Sequence, residues 1–439
     1  MNRDHQGDCF RILTALVIGI WSVSFLLAQN SPLSREGPPT ELPKIAHFSA
    51  DIADSTLEPC VDFYKYSCQK WHEANPIPSD EVAWGTAGPL NLWNQVVLGQ
   101  TLEKLSADNG GRTSNELKVG DFYFSCMDER NIEANSRRWL GKELGLVAGI
   151  KSRSDIAAEV AHLHQTIPLA WAQKDNQTPA VLFGFAGLPD FNDASRNVAQ
   201  FDQGGMTLPS RSYYLDQDDK SKEIRAKYLR HISNMLVLAG ESRSHADSDA
   251  KIVLAMETEL AKSAMDAITR RDPKNLNNRM SLAQVKKLSP SFDFDRYLKT
   301  VKAPVSPLYI VTSTEFFKGV EQMLRGRPLL DWKTYLRWRV ITGSVPALSD
   351  KFFQESFDFF GRTLAGAKEV QARWRRCVDS TDFLLGEASG QAYVARAFPK
   401  ENKERVLQLV QDLNTALAED IDSLDWMSPD TKIQAQAKR

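Results

Sequence analysis

Glu223–Ala239 reads EIRAKYLRHISNMLVLA. Ile224, Tyr228, Ile232, Met235, Leu236 and Leu238 fall mostly three or four residues apart, which sets them largely on one face of a helix. Gly240 follows as a natural stop, because glycine accepts the left-handed backbone that ends helices. Asp249–Thr269 repeats the pattern with Ile252, Val253, Met256, Leu260, Ala264 and Ile268. It runs into Arg270 and Arg271, cations suited to the negative end of a helix dipole. Further out, Phe352–Leu364, Ala367–Phe398 and Glu401–Leu424 also read as helices, the last with Val406, Leu407, Val410, Leu413, Leu417 and Ile421 on one stripe. These amphipathic faces are expected to form a core and carry no chemistry. One stretch departs from the helical period. Pro179–Leu188 (PAVLFGFAGL), a polar turn over Pro189–Arg196 and Asn197–Asp202 (NVAQFD) read together as a β-hairpin. The expected fold is mainly α with a small β element.

At 439 residues the chain has room for two or three domains, or one large domain with flanking segments. A formal net charge of −2 gives no electrostatic case for binding nucleic acid or an anionic membrane surface. Ile12–Ala28 is an uncharged apolar run preceded by Arg3 and Arg11, short for a bilayer span, which takes about 20 residues. It reads as a signal peptide over residues 1–28, cleaved after Leu26-x-Ala28, or as an uncleaved signal anchor that forms a single membrane attachment. Residues 29–44, with Pro32, Gly37, Pro38, Pro39 and Pro43, read as a flexible linker, and the folded part as 45–439. The body is therefore expected to be exported: periplasmic, extracellular, or anchored outside the cytoplasm. Apart from Cys9, which precedes the apolar run, the cysteines are Cys60, Cys68, Cys126 and Cys377. Their spacing fits no compact zinc site, and in an exported protein they read as disulfide formers with three pairings open.

No histidine opens H-E-x-x-H, the pattern that sets two imidazoles on one helix face around zinc. His72-Glu73 is followed by Ala74, Asn75 and Pro76, so the second ligand is missing. His162 and His164, two apart in a helix, point in different directions and read as a solvated or core-edge pair. Neither a G-x-S-x-G elbow nor a P-loop is present, and Cys68 and Cys126 lack a recognisable histidine partner. No catalytic residue and no metal ligand is assigned.

Glu58–Trp71 (EPCVDFYKYSCQKW) followed by Asn75-Pro76-Ile77-Pro78 resembles the start of the ectodomain in the neprilysin and endothelin-converting-enzyme family of zinc metallopeptidases. Gln203–Tyr214 (QGGMTLPSRSYY), Arg270–Asn277 (RRDPKNLN), Trp374–Cys377 through Tyr393-Val394, and Leu424–Lys432 (LDWMSPDTK) resemble further blocks of that family in the family's order. The resemblance covers roughly Ile45 to Arg439. It implies a multi-helix cap domain that encloses a peptide chamber together with a thermolysin-like catalytic domain, which is absent from this chain. The family's zinc ligands and its substrate-gripping Asn-Ala motif fall beyond the matching part, so the resemblance implies a truncated chain with no cofactor of its own, zinc belonging to the complete enzyme. By position, Cys126 and Cys377 resemble a disulfide formed within this half. Cys60 and Cys68 match cysteines whose partners lie in the other half, and would be orphaned here.

There are departures from the family pattern. Where the family has an arginine that holds the carboxylate end of the substrate, this chain has Ala83, before Trp84 and Gly85. Two family glycines after the second cysteine are replaced by Gln69 and Lys70. Two functions follow as expectations. One is the amino-terminal half of a zinc metalloendopeptidase that hydrolyses oligopeptides, inactive alone and partnered by the missing catalytic domain. The other is a free-standing, non-catalytic peptide-binding or structural module at the cell surface.

Overall fold

The computed structural model describes residues 36–45, 52–107, 110–167 and 180–439. The apolar run Ile12–Ala28 lies outside them. Of the expected linker, residues 36–44 carry no helix or strand but are not a free tether, since the Gln100 amide donates to the carbonyls of Pro39 (2.5 Å) and Thr40 (3.1 Å).

The helices follow the apolar stripes, with boundaries set by caps. In chain order they are α1 (Phe63–Ala74), α2 (Gly88–Ala107), α3 (Ser114–Met127), α4 (Glu129–Ala148) and α5 (Ile156–Thr166). A hairpin, β1 (Phe183–Asp190) and β2 (Asp193–Gln203), leads to α6 (Asp219–Leu238) and α7 (Arg243–Ser263). Then come β3 (Asn278–Met280), α8 (Leu282–Leu288), α9 (Phe294–Thr300), β4 (Tyr309–Val311), α10 (Thr314–Gly326), α11 (Leu329–Ser344) and α12 (Asp350–Ser356). The last are α13 (Arg373–Ala397), α14 (Lys400–Ser423) and α15 (Pro429–Lys438).

Several boundaries differ from the periodicity reading. Ser242 caps α7 from outside the expected start by accepting from the His245 amide, and the helix stops at Ser263 because Ala264 is extended. Arg270 is thus clear of the helix end and grips Asp202 with both guanidinium nitrogens, at 2.9 and 2.8 Å. Phe357–Ala365 continues α12 as a π-helix, and Gly366, at φ +84°, turns the chain out of it. Ala367–Ala372 is consequently non-helical, and its Lys368 and Glu369 amides donate to the Ser79 carbonyl. The hairpin turn is tighter than expected. Asp190 accepts from the Asn192 amide and from both terminal nitrogens of Arg279, so the polar stretch closes the turn and the ladder extends to Asp193. Pro179 lies outside the described residues. β3 and β4, three residues each, are too short to read from sequence, and they complete a four-stranded sheet of order β1-β2-β4-β3.

Two hydrophobic clusters divide the body. The larger takes residues from α4 through the π-helix, and centres on Trp332, Trp338, Tyr335 and an aromatic group around Phe183, Phe201, Tyr297 and Phe317. The smaller joins α2, α3 and α13 around Tyr123, Leu102, Trp374 and Val378. The chain crosses between them at Asp128, which ends α3 and caps α4, and again along Ala367–Ala372. One amphipathic helix contradicts the expectation that every such face is core. α14 buries only Ile421, because among the described residues it packs mainly on α15.

In the larger cluster the Glu257 carboxylate is fully buried. It accepts from Thr207 (2.6 Å), Tyr214 (2.7 Å) and Tyr228 (2.9 Å), and the Arg339 guanidinium lies 3.9 Å away. Burial pushes its pKa up, while Arg339 and the three hydroxyls oppose the shift. Glu257→Ala removes a buried carboxylate from beside Arg339 and the acceptor of Tyr214 and Tyr228. It should destabilise the chain by about 3–5 kcal/mol in urea unfolding, the cost of removing one partner of a buried ion pair.

His164 is the second test of the core. Its Nε2 donates to the Val181 carbonyl (2.8 Å), so Nδ1 is the acceptor for the Tyr297 hydroxyl (2.8 Å) and the ring is neutral. Burial holds its pKa down to about 4, against an ordinary value of 6.5. A depressed folded-state pKa adds stability above the unfolded value that is lost as pH falls. Stability should therefore decline between pH 6.5 and 4, with His164 contributing at most about 1.4 kcal/mol per pH unit. The His164→Gln chain should show a shallower slope there, and imidazole NMR should find the wild-type ring neutral at pH 5.

Candidate functional site

The loop after α1 carries Ala83. Arg375 on α13 reaches across to it, donating to Asp80 (2.6 Å) and Glu81 (2.5 Å), and its Nε donates to Gln95 (3.0 Å). Ser79 adds a hydroxyl bond to Glu369 (2.5 Å) and accepts the two amides of the connector. Trp84 packs so closely on Gly88 that a Cβ there would lie 2.8 Å from the indole, which explains the glycine at the start of α2. Between these anchors Val82 and Ala83 are exposed. The loop thus presents position 83 to solvent from a braced backbone, but the group presented is a methyl. Arg375 is no substitute cation, because it is shared between two carboxylates. Arg376 packs its guanidinium 3.8 Å from the centre of the Phe353 ring, and burial lowers its pKa to about 10.

Cys126 and Cys377 form a disulfide between α3 and α13, with Cα atoms 5.7 Å apart and a sequence separation of 251. Cys60 is an exposed free thiol just before α1, and Cys68 is a half-buried free thiol within it. Asp62 caps α1 by accepting from the Lys65 amide, and the helix buries none of its residues, leaving Phe63 69% and Tyr64 64% exposed. Tyr64 meets His72 at 2.8 Å, which occupies that imidazole in a local bond.

The remaining histidine pair is separated by the fold. His162 bonds Glu143 at 2.7 Å, while His164 is locked in the aromatic cluster. Among the described residues no group of three or more His, Cys, Asp or Glu side chains is placed to hold a metal ion. The described residues do not fit a zinc centre. The Gln203–Tyr214 block is structural. The Gln203 amide exchanges two hydrogen bonds with the Met265 backbone, and Gly205, at φ +77°, lets its carbonyl accept from Tyr335. Sequence reading missed Glu257 and Arg375. For Glu257 a signal existed, a lone carboxylate within the apolar stripe Val253, Met256 and Leu260.

The model of peptidase family M13, in its amino-terminal part, matches residues 59–439. The chain belongs to peptidase family M13. Endothelin-converting enzyme homolog of Locusta migratoria is 27% identical over 401 residues, 88% of this chain and 54% of that protein. Neprilysin-3 of Drosophila melanogaster is 29% identical over 402 residues, 88% of this chain and 50% of its own. Endothelin-converting enzyme-like 1 of Homo sapiens is 28% identical over 444 residues, 97% of this chain and 56% of its own. The M13 chain spans about half the length of the curated relatives it matches. The crystal structure of Mycobacterium tuberculosis zinc metalloprotease Zmp1 with an inhibitor superposes with a TM-score of 0.79 at 27% identity, over 89% of this chain and 57% of that one. PepO of Lactobacillus rhamnosis shares the fold, with a TM-score of 0.71 at 16% identity over 86% of this chain and 58% of its own.

The M13 disulfide closes most of the folded chain into one loop. Chain-entropy reasoning gives a loop of 251 residues about 5 kcal/mol of stabilisation, an upper figure. Cys377→Ser should lower the melting temperature under oxidising conditions, and dithiothreitol should lower that of the parent but not of the variant.

Proposed function

We propose that this chain is the amino-terminal, helical portion of a zinc metalloendopeptidase that hydrolyses oligopeptides, and that it supplies the cap and chamber wall and is inactive alone. The observation that carries this reading is the face of α14. Val406, Leu407, Leu409, Val410, Leu413 and Leu417 are 47–62% exposed, and Trp426 and Ile433 beside them are 77% and 63% exposed. Soluble proteins rarely leave so continuous an apolar face to water unless it is an interface. In an M13 protein the natural occupant is the other portion of the enzyme, joined as a continuation or supplied as a separate chain. Zinc and its ligands are assigned to that portion, and no step of the reaction is assigned to residues of this one. Ala83 leaves the carboxyl end of a bound peptide without the guanidinium that suits a carboxylate, so preference at that end should differ from an arginine-bearing relative. The disulfide supports a body exported to an oxidising compartment. Ala83 also favours the second reading, a free-standing module that binds peptides without cleaving them.

Cleavage of a quenched fluorescent oligopeptide tests the proposal, with this chain alone and with the complete open reading frame, each with and without a metal chelator. The expected result is chelator-sensitive cleavage by the complete product and none by this chain. Leu407→Glu with Leu413→Glu should lower the complete product's activity by about tenfold, while shifting the stability of this chain by no more than about 0.5 kcal/mol, as for other exposed sites. Cleavage by this chain alone would sink the proposal. A monomer whose α14 face binds no hydrophobic dye would favour the free-standing module.

A further inference from the structure

β1 borders the sheet, and the direction of its backbone groups follows from its neighbour. The Phe201 carbonyl on β2 accepts from the Thr312 amide at 2.9 Å, so the polar groups of Phe201 point toward β4. Phe185 lies opposite Phe201. That pair is therefore not hydrogen-bonded, and the N–H and C=O of Phe185 point away from β2. Alternation repeats this at Gly187, while Gly184, Ala186 and Leu188 exchange ladder bonds with Asp202, Gln200 and Val198. Among the described residues nothing pairs with the outward groups of Phe185 and Gly187.

Natural edge strands are usually shielded by charge, proline or a bulge. Pro189 and the register shift after it close one end of β1. Gly184–Leu188 carries no charged side chain, Ala186–Pro189 is exposed, and nothing lies within 4 Å of where a Gly187 Cβ would stand.

We propose that the β1 edge is a docking site for an extended oligopeptide, which joins the sheet as a further strand alongside Phe185 and Gly187. The occupant follows from the complementarity of the polar groups. Two outward donor–acceptor sets, one dipeptide or about 6.8 Å apart, match an extended backbone and little else. Such pairing reads the peptide backbone with little regard to its sequence, and the small side chains of Gly184, Ala186 and Gly187 leave the approach open. Phe185 and Leu188 add apolar contact on opposite faces. The choice of an oligopeptide rests on the peptidase reading above; the open edge does not.

The test is anisotropy of the full chain with a fluorescein-labelled decapeptide of alternating valine and threonine flanked by lysines. Saturable binding is expected, with slowed hydrogen exchange at the Phe185 and Gly187 amides. Gly187→Pro deletes one outward donor at a position where edge strands accept proline, and should weaken binding roughly fivefold to tenfold. Gly187→Ala keeps that donor in open space and should bind within about twofold of the parent, since no hydrogen bond is lost. The same peptide N-methylated at alternate amides should not bind, a readout that holds even where the proline variant fails to fold. No saturable binding, or equal binding by Gly187→Pro, overturns the proposal. So does self-association of the chain that Gly187→Pro abolishes, which would give the edge to a second copy. Since no cleavage is measured, these failures leave the peptidase reading standing, and absence of cleavage by the complete product would leave the edge binding intact.

Discussion

A single buried carboxylate organises the larger lobe. Glu257 has no water to replace its partners, so the chain must bring Thr207 and Tyr214 to it from one segment and Tyr228 from another, with Arg339 supplying charge from a third. Ion pairs at such depth add little net stability over an apolar core, but they penalise any packing that leaves a partner behind. The Gln203–Tyr214 block is thereby tied to α6, α7 and α11 at once. Its hydroxyls and glycines serve this junction, which is why a motif rich in polar residues lies inside the protein.

Around that junction the two lobes have different surfaces. The larger lobe buries a core of aromatic rings in edge-to-face contact. α1, the Ala83 loop and α14 all turn side chains outward, and Arg375 ties the loop to the same helix that carries Cys377. The Ala83 loop thus stands on a braced frame.

Much of this was legible in the residues. Helical stripes such as Ile224 to Leu238 located the helices, because a three-to-four spacing of large apolar groups has few other solutions. Boundaries were less legible, since they depend on caps and backbone turns. Ser242 and Gly366 decide where α7 begins and where the π-helix stops, and neither interrupts the apolar period. β3 and β4 were invisible because three residues hold no period of their own. At the candidate site, Ala83 and the disulfide pair could both be named by resemblance. The role of Arg375 could not be read, as its carboxylate partners lie nearly 300 residues away in sequence. The α14 stripe was correctly read as amphipathic, but a stripe does not say whether its partner lies in the same chain.

The three-helix lobe also has a consequence for biosynthesis. α2 and α3 are made early, yet the helix that completes their core is made some 250 residues later, as the disulfide spacing of 251 shows. At ribosomal speeds of about 5–20 residues per second, the apolar faces of α2 and α3 wait on the order of ten to fifty seconds for α13. The larger lobe, whose helices are contiguous in sequence, can fold within that interval. Val96, Leu102 and Tyr123, though fully buried in the finished molecule, thus stay uncovered through most of synthesis.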